Sequence, residues 1–173
     1  MVIVKIFAGL GNQMFQYAFG RAYELKTGKK VFYEINWWLD KDLQGNNTNR
    51  DFELDVFNAK VNSFKRYSVI NYILKRKTIT QRIFYKFFQK IKVLKLLEER
   101  VQFNRDEKLE ENISNISHIV GYFQTEVYFK SYRKQILKDF SIKKALSKNS
   151  LGYKQDILNS NSISMHIRRG DYL

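Results

Sequence analysis

The sequence predicts an α/β fold built on a parallel sheet, and three observations carry that prediction. Residues 2–7 form a short, β-branched apolar run with Lys5 as its only charge. A glycine turn and a helical apolar repeat come next, and then a second strand-like run at 31–35. Strand, turn, helix, strand is the opening of a parallel unit, because parallel neighbours need a crossover. The third observation is the absence of proline, where roughly eight or nine would be usual at about 5%. Helices can therefore run without that interruption.

Each element arises from its own pattern. In the first helix Met14, Ala18, Ala22 and Leu25 recur at spacings of four, four and three, with Asn12 as N-cap and Gly28 as stop. Residues 40–50 are a polar loop. Ile79, Ile83, Phe87, Ile91 and Leu94 then form one apolar stripe with lysines on the other faces, which predicts a helix. Residues 119–123 read as strand, 126–138 as helix, and 149–155 as helix or connection. Residues 162–168 alternate, with Ile163, Met165 and Ile167 facing one way and Ser164, His166 and Arg168 the other.

Composition narrows the function. The 173 residues, 44% of them hydrophobic, suffice for a core of about one domain. With no cysteine there is no disulfide, thiolate ligand or thiol nucleophile. No His/Asp/Glu cluster has metal-ligand spacing. The first residues lack the charged start and long apolar run of a signal peptide, and no stretch reaches the roughly 18 apolar residues of a membrane span, so the expected location is the cytoplasm. The net charge is +14, yet 11 of the 31 basic residues and none of the 17 acidic ones lie in 60–97. That segment has three open readings: a solvated face of a helical insertion, an anionic-membrane contact, or a nucleic-acid contact. Phe84, Tyr85 and Phe88 among the lysines favour lipid over nucleic acid. A basic α/β binding module without catalysis is the alternative to an enzyme.

Two segments could carry chemistry. The turn Gly9-Leu10-Gly11-Asn12-Gln13 lets backbone approach a ligand and aims free N–H groups and the positive helix end at an anion. A tight structural turn is equally compatible. A dinucleotide fingerprint would need glycine at position 14, where Met14 stands, although Glu34 at the end of the second strand could hold a ribose. The second segment is His166-Ile167-Arg168-Arg169-Gly170-Asp171-Tyr172. Alternation places His166 and Arg168 side by side at a strand's carboxyl end, where open α/β sheets bind ligands. Planar guanidiniums suit a phosphate. A surface arginine pair, Asp171 as a helix cap and a chance Arg-Gly-Asp tripeptide are the bland alternatives. His118 reads as structural.

Together these segments resemble one family. Phe7-Ala8-Gly9-Leu10-Gly11-Asn12-Gln13-Met14-Phe15-Gln16-Tyr17-Ala18 is similar to the amino-terminal signature of glycosyltransferase family 11, the alpha-1,2-fucosyltransferases. Phe52-Glu53-Leu54-Asp55-Val56-Phe57, Gly121-Tyr122-Phe123-Gln124-Thr125-Glu126-Val127-Tyr128-Phe129 and the His-x-Arg-Arg-Gly-Asp-Tyr segment at 166–172 resemble three further blocks of that family, in the same order. Ala8 stands where glycine is usual and Glu34 where aspartate is more usual.

The resemblance implies inverting, metal-independent transfer of L-fucose from GDP-beta-L-fucose to the 2-hydroxyl of a galactose-terminated glycan. No cofactor is implied beyond that donor. Arg168 and Arg169 would hold the departing diphosphate, Asp171 would buttress them or touch the sugar, and His166 would orient the site. Gly9, Gly11 and Asn12 would meet donor or acceptor. Asp171, His166 and Glu34 are the candidates for general base. The resemblance also implies two Rossmann-like domains of the GT-B type. Residues 1–150 would be the amino-terminal domain, with 60–97 its basic helical segment. Residues 151–173 would be a linker and the first strand of a donor domain that continues beyond this chain. Peripheral contact with the inner membrane is implied by relatives that work on lipid-carried polysaccharides.

Overall fold

The structure is a computed structural model that describes residues 1–35, 51–63, 73, 76–91, 95–101, 103–113 and 117–165. Two compact units divide at Met1–Ser141 and Ile142–Leu173.

The first unit holds four parallel strands: β1 (Val2–Lys5), β2 (Val31–Glu34), β3 (Lys95–Glu98) and β4 (Ser117–Val120), in the order β2-β1-β4-β3. β1 and β4 are the central pair. Their alternating side chains feed a layer on each face, which is why β1 reads as an almost unbroken apolar run. Val2 and Val4 point into the larger core with Val31, Tyr33 and Ile119, while Ile3 points into a smaller one with Ile73 and Tyr85.

Helix α1 (Leu10–Thr27) packs in the larger core. Its predicted stop is found: Gly28 takes the left-handed conformation, and its N–H donates to the Glu24 carbonyl at 2.8 Å. Its start differs from the expectation. Gly9, not Asn12, is the N-cap, and no side chain caps the helix. Asn12 falls in the first turn instead. Gly20 admits Tyr33, since a Cβ there would stand 2.9 Å from that ring. The hydroxyl of Tyr17 donates to Asp139 Oδ2 at 3.0 Å, and Arg21 Nε donates to the same oxygen at 2.9 Å. These bonds fasten the short helix α4 (Arg133–Asp139) to α1; burial pushes the Tyr17 hydroxyl far above its usual value.

The basic segment departs most from expectation. A helix, α2 (Ile79–Lys90), does form, and Thr78 and Gln81 close a reciprocal capping box. It packs through Tyr85 and Phe88, with Gln81 also buried, while Ile79, Ile83, Phe87 and Ile91 of the apolar stripe are exposed. Leu94 lies outside the described residues. The segment's end is not helix but β3, where Lys-Leu-Leu-Glu carries no β-branched residue. Pairing with β4 overrides that weak strand propensity. The predicted helix over 126–138 is two short 3₁₀ turns followed by α4. Helix α3 (Glu107–Glu111) lies between β3 and β4.

In the second unit α5 (Lys148–Leu158) covers the predicted 149–155, and Ser147 caps it. The strand predicted over 162–168 is not formed at 162–165, and Ile163 is 94% exposed. A strand needs a hydrogen-bonded neighbour, and none pairs with these four residues.

Four described non-glycine residues have positive φ, Ala8, Arg76, Phe103 and Phe123, and two of these follow the central strands. Ala8, just past β1, and Phe123, just past β4, both have positive φ, at 66° and 54°. A residue with a Cβ there costs on the order of 1–2 kcal/mol. Relieving the first, Ala8→Gly, raises stability by about 0.5–1 kcal/mol once glycine's extra chain entropy is deducted. A higher urea midpoint shows this; a lower one shows that the Ala8 methyl contributes packing that outweighs the strain.

Candidate functional site

The carboxyl ends of β1 and β4 lie side by side, and two buried glutamines of α1 organise the loops that leave them. Gln13 and Gln16 are three residues apart, so they share one helix face. Both are fully buried. Gln13 Nε2 donates to the carbonyls of Ala8 and Asp51, at 3.2 and 3.0 Å, while its Oε1 accepts from the Glu53 N–H at 3.0 Å. Gln16 Nε2 donates to the Gly121 carbonyl at 3.1 Å, and its Oε1 accepts from the Phe7 N–H at 2.9 Å. One further bond joins the same segments: Gln124 Nε2 donates to Asn12 Oδ1 at 2.7 Å.

Three of the four sequence blocks, far apart in the chain, thus meet on one surface. The side chains that join them give hydrogen-bond partners to backbone groups of all three, of which Gly121 is itself buried.

The loop after β4 is fixed with equal economy. Glu99 Oε2 accepts from the N–H groups of Tyr122 and Phe123, at 2.7 and 2.9 Å. Gly121 is required there, because a Cβ would come within 2.6 Å of Glu99 Cβ. Phe123 stacks on Phe19 with centroids 4.0 Å apart, and this packing holds the strained turn. Tyr122 stays at the surface against Phe7, with centroids 4.9 Å apart. The Tyr128 hydroxyl accepts from the Asp106 N–H at 2.8 Å, and burial pushes it up to about 12.

The predicted glycines sit at this surface. Gly9 has an extended backbone, and Gly11 is exposed, with open space where a Cβ would be. Gly11 has no positive φ and touches no neighbour through its missing Cβ, so neither conformation nor packing demands glycine there. No acidic residue stands in the first turn of α1 to compete for its positive end. Asn12 is half-buried and engaged with Gln124. His166, Arg168, Arg169 and Asp171 lie outside the described residues.

Glu34 does not fit the roles expected of it. It is 4% exposed, and its Oε2 lies 3.2 Å from His118 Nε2, itself fully buried. Burial alone would raise this carboxyl. The hydrogen bond and charge of His118, with Lys5 and Arg76, outweigh that and hold it below its ordinary 4.5. A carboxylate so enclosed is not presented to a ribose or an acceptor hydroxyl. With its folded value depressed, Glu34 adds stability that is present above pH 4.5 and lost as pH falls through that lower value. Urea midpoints should fall on acidification below that pH, and Glu34→Gln should flatten the fall; an unchanged slope would remove Glu34 from it. His118 falls within β4, in line with its structural reading.

Gln13, Gln16, Glu99 and Gln124 are not singled out as site residues by the sequence patterns. A pair of amides three apart on an otherwise apolar helix face is the available signal. Among the described residues no group of three or more His, Asp or Glu side chains could hold a metal ion, and no helix is long and apolar enough to cross a membrane.

Comparison with known proteins agrees with the sequence blocks at a coarser level. The chain is 28% identical over 176 aligned positions to the alpha-1,2-colitosyltransferase of Escherichia coli, an alignment covering all of this chain and 56% of that protein. It is 31% identical over 193 positions to the O-antigen biosynthesis glycosyltransferase WbnK of Escherichia coli, covering 95% of this chain and 57% of that one. The chain therefore spans a little over half the length of these curated relatives. No protein-family model matches it, and no solved structure does. Over nearly all of its length, the chain is thus similar to part of two glycosyltransferases of Escherichia coli.

Proposed function

We propose that this chain is the amino-terminal part of an inverting glycosyltransferase of the GT-B type. It would move L-fucose from GDP-beta-L-fucose to the 2-hydroxyl of a galactose-type sugar. The observation that carries the proposal is the convergence of three motif blocks at the carboxyl ends of β1 and β4 through Gln13, Gln16 and Gln124. Open α/β sheets bind ligands at that end.

In this reading the glycine turn receives a sugar or phosphate against bare backbone, and Asn12 is held for it by Gln124. Arg168 and Arg169 supply the fixed positive charge that the departing diphosphate needs, with no metal ion taking part. They bind it more tightly as its charge develops, which is what lowers a barrier. Asp171 positions the arginines, and His166 orients the site. The acceptor's 2-hydroxyl forms the new bond to the anomeric carbon while the bond to the diphosphate breaks. The hydroxyl proton passes to a base, for which Asp171 and His166 remain the candidates now that Glu34 is enclosed.

The colitosyltransferase relative favours a second reading of the donor alone, in which the transferred sugar is colitose. A competition assay separates the two. The natural polypeptide that carries these residues is given GDP-fucose and an activated colitose donor together, with a galactose-terminated acceptor. Mass spectrometry of the product should show fucose. Colitose alone in the product would move the assignment to the second reading, and no addition of either sugar would overturn both.

A further inference from the structure

We infer that the outer face of α2 is a docking surface for an anionic lipid bilayer. The capping box sets the start of this helix firmly, and Tyr85 and Phe88 hold its inner face on the sheet against Ile3 and Leu96. The apolar stripe is what remains outside. Ile79, Ile83, Phe84, Phe87 and Ile91 are 77, 60, 50, 53 and 47% exposed. At 100° per residue they lie within one arc of about 140°, shared with Thr80 and Lys90 and bordering the packed face. Scattered apolar residues on a surface mean little, but four large ones on a single arc of a twelve-residue helix, with Ile91 at its C-cap, form a patch.

The charge beside this arc names its occupant. Arg82, Lys86 and Lys90 are exposed and lie along its edge, the helix contains no acidic residue, and none occurs anywhere in 60–97. An apolar arc edged by cations matches a bilayer surface that offers hydrocarbon below and phosphate above. Lysine stems lie along the apolar surface while their ammonium groups reach the headgroups. A nucleic acid would satisfy the lysines but leave the isoleucines and phenylalanines in water. A second copy of the same helix would bring two cationic edges together. Membrane binding and sugar transfer are read out separately, so neither proposal depends on the other.

Vesicle flotation tests it, using the natural polypeptide with neutral phosphatidylcholine vesicles and with vesicles containing about 30% phosphatidylglycerol. The protein should float with the anionic vesicles at least tenfold more than with the neutral ones, and should be released as salt rises from roughly 50 to 500 mM. Phe87→Asp and Ile83→Asp should each abolish flotation. Lys86→Glu with Lys90→Glu should lower it at least fivefold. All four positions are exposed, so circular dichroism melts of the variants should match the parent.

Equal binding to neutral and anionic vesicles would overturn the charge argument. Flotation that survives Phe87→Asp would overturn the place of the surface. No flotation of the parent would overturn the proposal outright, including the case where the rest of the polypeptide covers the stripe. A lipid-free dimer that Phe87→Asp dissociates would assign the face to a second copy, and DNA binding unaffected by Phe87→Asp would assign the basic edge to nucleic acid.

Discussion

Replacing Gln16 with leucine lowers the stability of the first unit by about 2–5 kcal/mol. The substitution keeps the volume but removes both halves of an amide. The Phe7 N–H and the Gly121 carbonyl then lose their partner, in a place where Gln16 itself is fully buried. Each buried group left without a bond costs about 1–3 kcal/mol, and the greater apolarity of leucine returns a part of that. Urea unfolding gives the number. Hydrogen exchange gives the place: the Phe7 amide should lose protection before the amides of β2 do. Gln13→Leu should behave likewise, through the Ala8 and Asp51 carbonyls and the Glu53 N–H. A loss below about 1 kcal/mol for both variants would mean that water replaces the amides readily, and the convergence of the three blocks would then not depend on them.

Arg168→Ala lowers the transfer rate of the natural polypeptide at least a hundredfold. Removing one preorganised donor aimed at developing charge costs roughly 2.7–4 kcal/mol of barrier, and each 1.36 kcal/mol is tenfold. The loss should fall on kcat more than on KM, because the diphosphate carries more charge as it departs than in the bound donor. Arg168→Lys should recover only part of the rate, since an ammonium is a point charge and not a planar fork. Near-normal kcat in Arg168→Ala would take the leaving group out of this residue's care and pass the role to Arg169.

Much of the fold is legible in the sequence, and the reasons are local. β1 and β2 announce themselves as short apolar runs, and Gly28 ends α1 because only the left-handed conformation closes that turn without strain. β3 is not legible, because four residues without a β-branched side chain form a strand only where β4 waits to pair with them. The orientation of α2 is not legible either. An apolar stripe is expected to face the core, whereas Tyr85 and Gln81 face it and the stripe faces outward. Periodicity reports that a helix has two faces and cannot say which one the protein covers.

The site divides along the same line. Gly9, Gly11 and Asn12 can be placed because a glycine turn between strand and helix is a local pattern. The role of Gln16 cannot, as its partners at Phe7 and Gly121 are 9 and 105 residues away. The position of Glu34 at a strand end suggests a ligand, and the structure gives it to His118, 84 residues away. Long-range partners of buried polar groups are the part of a site that a single sequence hides.

Inverting transfer to a 2-hydroxyl leaves its signature in the product. The natural polypeptide is incubated with GDP-beta-L-fucose and a galactose-terminated acceptor, and the purified product is examined by NMR. The expected product carries a fucose in the alpha configuration, with the linkage at C2 of the galactose. A beta-linked fucose, a linkage at another carbon, or the absence of any fucosylated product would contradict it.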